Sequence, residues 1–494
     1  MESGRRGGAA EGARPAALRR TLTFRDLVVY GLLFIAPMAP VGIFGTLLAT
    51  SHGAITVVYV VATVAMAFTA YSYAQMVRVA PRAGSVYTYA RVGLGDGAGF
   101  VAGWMAMLDY LLIPAVAYLF SGIALHALVP SVHQWVWTAL AVVVTTLLNL
   151  WGVRTAAVVG FVVLALELAV LVVFVGAAGY VLVTAGARRG WSEPFTGAGA
   201  FSPVAVLAAV SVAVLSFLGF DAIASFAEEA EDAPREGGAP GRSRGERPGK
   251  GGGRRVGGPR RVARAVLTCL AVAGVLFAVQ TYLAALLAPV SAAGLAARPG
   301  EQGSAFYVTA EAAVGPWLGQ LVAAGKAVGA AFAALAGQAA AGRLLFAMAR
   351  DRRLPGAMAE VDARRGVPRR ALLGAAGVTL VAAVWAARRD DGLEQLSSIV
   401  NVGALTAFGL LHASVIGWFR FRARERAGVP GVLRHVVVPL LGLAVVVAVL
   451  VAASPTAQAV GGCWLAVGLV WLAVQYGRRS RAGGAGTEGG GAAG

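Results

Sequence analysis

Four ionisable residues, Asp109, Glu167, Asp221 and Lys326, lie inside long apolar stretches of this chain. A charge at bilayer depth costs roughly 2.5–3.5 kcal/mol on insertion scales, so such a group faces the interior of a helix bundle or a water-filled cavity. Three acids against one base suit a cationic solute or a coupled proton. Burial strengthens a carboxylate's hold on its proton, whereas an amine brought beside it favours the ionised form, so one group can alternate between the two.

Asp221 has the most telling surroundings. It follows Gly219 by two residues near the middle of the apolar run over 205–232. Irregular backbone is tolerated at membrane depth only where protein or a cavity satisfies the freed N–H and C=O groups. Gly219 and Asp221 together therefore predict a discontinuous helix lining a pathway, with Asp221 either touching a substrate amine or capping the half-helix after it. A second break is predicted in the first apolar stretch, GLLFIAPMAPVGIFG, where Pro37 and Pro40 flank Met38 and Ala39. Interruptions at corresponding places in two five-helix halves point to an inverted-repeat transporter and its binding site. The plainer alternative is that proline merely kinks one helix and glycine merely lets the other pack closely.

Hydropathy supplies the elements that must hold these residues. Of 494 residues, 58% are hydrophobic and 13% charged, which excludes an ordinary soluble globule. Windows of about 20 apolar residues predict twelve spans. They fall near 27–50, 55–77, 97–128, 133–151, 155–184, 203–229, 263–288, 318–346, 370–387, 393–418, 433–453 and 456–477. The net charge of +18 follows membrane topology: 36 of the 42 Lys and Arg fall in segments on one side of these spans. The positive-inside rule then places both termini in the cytoplasm. Nucleic-acid binding is disfavoured, because no basic stretch carries the interleaved aromatics that stack on bases. Cys269 and Cys463 both fall within spans and are too sparse for a disulfide framework or a thiolate metal site. They read as small packing residues, and no metal or cofactor is expected.

The first span is too long for a signal segment and is expected to stay in the protein. Low-complexity composition predicts disordered cytoplasmic tails at 1–20 and 480–494, and a disordered Gly/Arg/Pro-rich insert at 233–258. Between them lie a core over 21–420 and a final helix pair over 421–479. Lys250 in the insert lacks the upstream glycine and following Ser/Thr of a phosphate loop.

Five segments, in order, resemble the amino acid-polyamine-organocation permeases, and among them the bacterial putrescine-importer-like branch. They are Ala80-Pro81-Arg82-Ala83-Gly84-Ser85-Val86-Tyr87-Thr88-Tyr89, Gly103-Trp104 with Leu108-Asp109-Tyr110-Leu111, Ser216 to Asp221, Arg343 to Asp351 with Leu354-Pro355, and Ile399 to Leu405. The resemblance covers roughly 24–420. It implies an all-α membrane protein of about twelve transmembrane helices, a LeuT-type five-plus-five inverted repeat with two C-terminal helices, and alternating access around a central site. It also implies that the break at Ala36, Pro37, Met38, Ala39 and Gly42 offers backbone groups to substrate, and that Ser216, Phe217, Gly219, Phe220 and Asp221 form the second broken wall. Leu215 stands where some amino acid antiporters carry a gating Trp, which argues against that style of exchange gate. Glu167 aligns with a place where some sodium-independent relatives carry a Lys in lieu of a bound sodium ion. Proton uptake, an ion pair with Lys326 and a sodium site all remain open for it.

Tyr110 is a further candidate for the pocket wall, and Phe217 and Phe220 can stack over a cation or simply pack. Lys326 can join the interior or snorkel towards an interface, while His412 reads as structural. The leading expectation is a secondary active transporter that imports an amino acid or polyamine with a coupled proton, sodium being less favoured. Asp109, Glu167, Asp221 and Lys326 are its coupling candidates. A transporter-like sensor and an intramembrane enzyme are the alternatives; the latter lacks any His/Cys/Asp cluster at ligand spacing. Partners beyond solute, proton and bilayer, including further copies of the chain, are not legible.

Overall fold

A computed structural model describes residues 23–80, 85–151, 156–199, 201–225, 257–350, 355–360, 368–423 and 429–484. The expected tail 1–20, residues 485–494 of the other and 233–256 of the insert lie outside these residues, while 480–484 and 257–258, expected to be disordered, belong to helices. The described chain is helical. The principal helices are α1 (Phe24–Ile35), α2 (Ala39–Thr50), α3 (Ile55–Val79), α4 (Ser85–Gly93), α5 (Asp96–Leu128), α6 (Gln134–Trp151), α7 (Ala156–Thr184) and α8 (Pro203–Ala213). They continue with α9 (Gly257–Leu287), α10 (Ala305–Val314), α11 (Pro316–Arg350), α12 (Arg369–Ala387), α13 (Gly392–Ile416), α14 (Val438–Ala452) and α15 (Pro455–Gly484).

Among the described residues, ten helices are long and apolar enough to cross a membrane, or eleven with α1 and α2 counted as one bent span. The sequence predicts twelve. The difference lies at 203–229: α8 and a tight 3-10 extension cover only Pro203–Phe217, and the chain beyond 225 is outside the described residues. α4 and α10 are additional short helices that hydropathy did not separate.

Local signals explain where these helices begin. Thr23 and Asp26 form a reciprocal capping box at α1, Thr23 Oγ1 accepting from the Asp26 amide at 3.3 Å and Asp26 Oδ2 accepting from the Thr23 amide at 2.9 Å. α8 opens with Pro203 at its first position, where the missing N–H is harmless, and Ser202 caps the Ala205 amide at 3.3 Å. Large apolar side chains stand fully outward on the peripheral helices, including Val172 and Val183 on α7, Val381 on α12 and Val451 on α14. Such a surface requires lipid, and the chain is a multi-pass membrane protein.

Polar pairs lock helices that apolar packing alone would leave free to slide. Gln338 of α11 donates to Thr146 Oγ1 at 2.9 Å and accepts from Asn149 Nδ2 at 3.0 Å, joining α11 to α6. Trp104 of α5 and Trp464 of α15 stack at 4.8 Å and exchange indole N–H bonds to each other's carbonyls at 2.7 and 2.9 Å. Cys269 is buried as expected, whereas Cys463 faces outward, so only the first is a packing residue.

Candidate functional site

The first break starts at Ala36, which has φ 58°, and turns the chain by 49° between α1 and α2. Pro37 and Pro40 supply no N–H, which interrupts the helical ladder here. Side chains of distant helices bond the backbone at the break. Gln280 of α9 donates to the Pro37 carbonyl at 3.0 Å, and Lys326 of α11 donates to the Met38 carbonyl at 3.0 Å. Lys326 is 3% exposed and its Nζ lies 4.7 Å from the Phe120 ring centroid. It therefore turns inward and does not snorkel. Glu167 of α7, also 3% exposed, is turned towards the backbone of the same residue, Met38, with Lys326 as its charged neighbour.

The second break is built by tightening. α8 narrows into a 3-10 turn over Val214–Phe217, Leu218 is extended, and Gly219 takes φ 108°. That dihedral and a close approach both demand glycine, because a Cβ here would sit 2.7 Å from the Phe34 carbonyl oxygen of α1. The two breaks thus meet backbone to backbone. Asn401 of α13 donates to the Ser211 and Val212 carbonyls at 2.6 and 3.1 Å, just before the tight turn. Ser216 Oγ pairs with the Tyr59 hydroxyl of α3 at 3.1 Å.

Asp221 follows the break half-buried, and Ser85 Oγ donates to its Oδ2 at 3.5 Å. Ser85 in turn pairs with the Tyr73 hydroxyl at 3.3 Å. The amides of Gly219 and of Asp221 itself are turned to the carboxylate, whereas the Ile223 and Ala224 amides that open the following half-helix go to the Phe220 and Asp221 carbonyls, so the carboxylate serves the break itself and not the cap weighed from sequence. Phe220 is fully buried between Tyr73 at 5.7 Å and Phe408 at 5.9 Å, and Phe217 between Tyr59 at 6.4 Å and Phe277 at 5.0 Å. Both rings wedge the break open rather than line a void. Gly42 is buried, with the Phe120 ring pressed on its Cα, so it serves helix packing.

Asp109 and Tyr110 of α5 are half-buried near this cleft, and Asp221 acts electrostatically on both. Asp109 Oδ1 is buried without a hydrogen-bond partner among the described residues. His412 lies apart, between Ser72 at 2.8 Å and Thr69 at 3.3 Å. The structure therefore sets Gly219 against the α1 backbone beside the first break and brings Asp221 within electrostatic reach of Asp109 and Tyr110, with Glu167 and Lys326 at Met38.

Sequence reasoning missed Gln280, Tyr59 and Tyr73 and used Ser85 and Asn401 only as family markers. The available signal was polarity: Gln280 and Asn401 are uncharged polar residues in the middle of apolar spans, where an amide needs a partner.

Paired broken helices whose freed carbonyls are held by side chains from other spans, around an acidic cleft, define a polytopic solute transporter architecture. Residues 27–474 match the family described as amino acid permease, and the chain belongs to that family. It is 27% identical over 464 residues to the low-affinity putrescine importer PlaP of Escherichia coli (strain K12), covering 92% of this chain and 93% of that protein. It is 25% identical to the branched-chain amino acid permease BcaP of Bacillus subtilis (strain 168), covering 81% of each. The methylthioribose transporter of the same organism is 25% identical, covering 82% of each.

Proposed function

We propose that this chain is a secondary active importer of an organic amine, a polyamine ahead of an amino acid, working by alternating access at the cleft between its two breaks and driven by protons. Both termini lie in the cytoplasm in this reading, as the distribution of Lys and Arg suggests. Asp221, with Asp109 and Tyr110 across the cleft, meets the ammonium group.

The observation that carries the choice of substrate is the fate of the amides at the first break. The N–H groups of Ala36, Ala39 and Val41 are taken by the carbonyls of Leu32, Ala36 and Met38. Pro37 and Pro40 have none, and Met38 turns to Glu167. A zwitterion's carboxylate needs donors at such a half-helix start, and positions 36–41 have none to spare. An amine without a carboxylate needs only the acids. The name of the relative PlaP agrees with this reading, whereas that of BcaP favours an amino acid. Protons are preferred to sodium because the Lys326 ammonium already occupies the Met38 carbonyl that a metal ion would use.

The test is uptake of labelled putrescine into proteoliposomes with an alkaline interior, with unlabelled diamines and amino acids as competitors. Gradient-driven uptake blocked by diamines is expected. Uptake blocked by amino acids and indifferent to diamines would overturn the substrate choice, and Asp221→Asn transporting like the native chain would overturn the role of that carboxylate.

A further inference from the structure

We propose that Glu167 is the seat of the coupled proton, and that Glu167 and Lys326 pass its loading to the first break by holding the amide and the carbonyl that flank the Met38 Cα. This rests on the proton-driven reading above and selects one of its four ionisable candidates.

The geometry singles out this pair. Glu167 and Lys326 are each 3% exposed, on helices α7 and α11 that pack together. Lys326 Nζ is committed, 3.0 Å from the Met38 carbonyl oxygen and 4.7 Å from the Phe120 centroid. Glu167 is not: its Oε1 is buried with no hydrogen-bond partner among the described residues. That oxygen lies against Gly329 so closely that even a Cβ at 329 would overlap it. A carboxylate oxygen stranded in an apolar interior is costly, and a proton is the one ligand small enough to relieve it. A sodium ion needs several oxygens, and the nearby Met38 carbonyl is already held by an ammonium. The helices packed on α7 are α1, α9, α10 and α11, and the charge they bring to bear on Glu167 is that of Lys326.

The step is a single protonation. The Glu167 carboxylate takes one proton from the open side and becomes a neutral acid, while Lys326 keeps its ammonium, so the pair passes from net zero to net +1. The negative pole that held the Met38 amide and balanced Lys326 is gone, and α1 is freed to move against α2. Opening to the other side releases the proton, restores the carboxylate and resets the grip. Asp221 is then left for the solute, so proton and substrate sites are separate and communicate through the first break.

Glu167→Gln imitates the loaded state and separates this inference from the reading beneath it. The probe is whichever of labelled putrescine, lysine or leucine the native protein takes up, with a pH dye trapped in the same vesicles. We expect the variant to keep substrate exchange between equal pools within about threefold, to lose substrate-dependent proton movement, and to lower gradient-driven accumulation about tenfold or more, within the range that inter-site coupling spans. Glu167→Asp, which keeps a titratable group, should retain proton movement with a displaced pH profile. Substrate-dependent proton movement persisting in Glu167→Gln overturns the inference while leaving a proton-driven transporter intact. Should the glutamine variant lack exchange, an unchanged pH profile in Glu167→Asp overturns it equally. A native protein whose accumulation ignores the pH gradient, or follows sodium, defeats both.

Discussion

Replacing Asn401 tests whether the second break is held open by a donor from α13. Its Nδ2 reaches the Ser211 and Val212 carbonyls at 2.6 and 3.1 Å, whereas its Oδ1 is buried and unpartnered. Asn401→Ala thus removes two interhelical bonds and strands two carbonyls, but forfeits nothing at Oδ1. Interhelical side-chain bonds in membranes average about 0.6 kcal/mol with a maximum near 1.7. Two of them therefore contribute roughly 1–3 kcal/mol, or about 5–150-fold in the population of the intact break. Asn401→Asp is nearly the same shape but turns an acceptor towards two acceptors, and must cost more than the alanine. The assay is thermal unfolding in detergent together with uptake as a function of substrate concentration. The alanine should lose affinity and stability, and the aspartate should lose more at neutral pH and recover in acid, where its protonated O–H can donate to one carbonyl. Equal behaviour of aspartate and asparagine at neutral pH would refute the assignment of a donor to this position.

Gly219→Ala forces a side chain into φ 108° and onto the Phe34 carbonyl; strain of about 1–3 kcal/mol should abolish uptake while leaving a folded, monodisperse protein on gel filtration. Gly329→Ala drives a methyl into Glu167 Oε1, and its overpacking cost of about 1–3 kcal/mol should appear as lost proton coupling before lost expression. Trp464→Phe removes the indole bond to the Trp104 carbonyl; it should lower the unfolding temperature, with a cost near 1 kcal/mol, and leave uptake kinetics close to native. Cys269 is fully buried, its Sγ 2.8 Å from where a Cβ on Gly31 would stand. A small thiol reagent should label it slowly at rest and faster during turnover, while a rate independent of substrate would show that α1 does not part from α9.

Both breaks were legible in the chain because proline and glycine act locally: Pro37 and Pro40 remove donors, and Gly219 permits a dihedral that other residues resist. Their directions were not legible. Phe217 and Phe220, plausible as cation-stacking rings from sequence, are wedges in two aromatic clusters, because which face of a tightened helix turns to the cleft depends on the 3-10 turn preceding it. Lys326 lay two-sided in sequence between snorkelling and interior roles. Its inward direction is seen only in the fold, where the Met38 carbonyl, 288 residues earlier, accepts from it. The twelfth span rests on 203–229, where the described helix ends at Phe217 and residues 226–256 lie outside the described residues, so the count stands at eleven with α1 and α2 joined.

The anchors of the two breaks follow one pattern. The second span, α3, gives Tyr59 to Ser216 of the sixth, and the seventh, α9, gives Gln280 to Pro37 of the first. The tenth, α13, gives Asn401 to Ser211 and Val212 of the sixth, and the fifth, α7, turns Glu167 to Met38 of the first. Shifting each anchoring span and each receiving span by five converts one set into the other, which is the arrangement a five-plus-five repeat imposes and which unrelated kinks would have no reason to share. The chemistry differs between the halves where the geometry does not: an amide holds the sixth span at the place where a carboxylate, partnered by Lys326, holds the first. Only the latter can change charge. If Glu167 carries the coupled proton as proposed, a symmetric scaffold with one titratable anchor would convert that proton into motion at one break while the other stays fixed, and the asymmetry would give a pH gradient a direction in which to push.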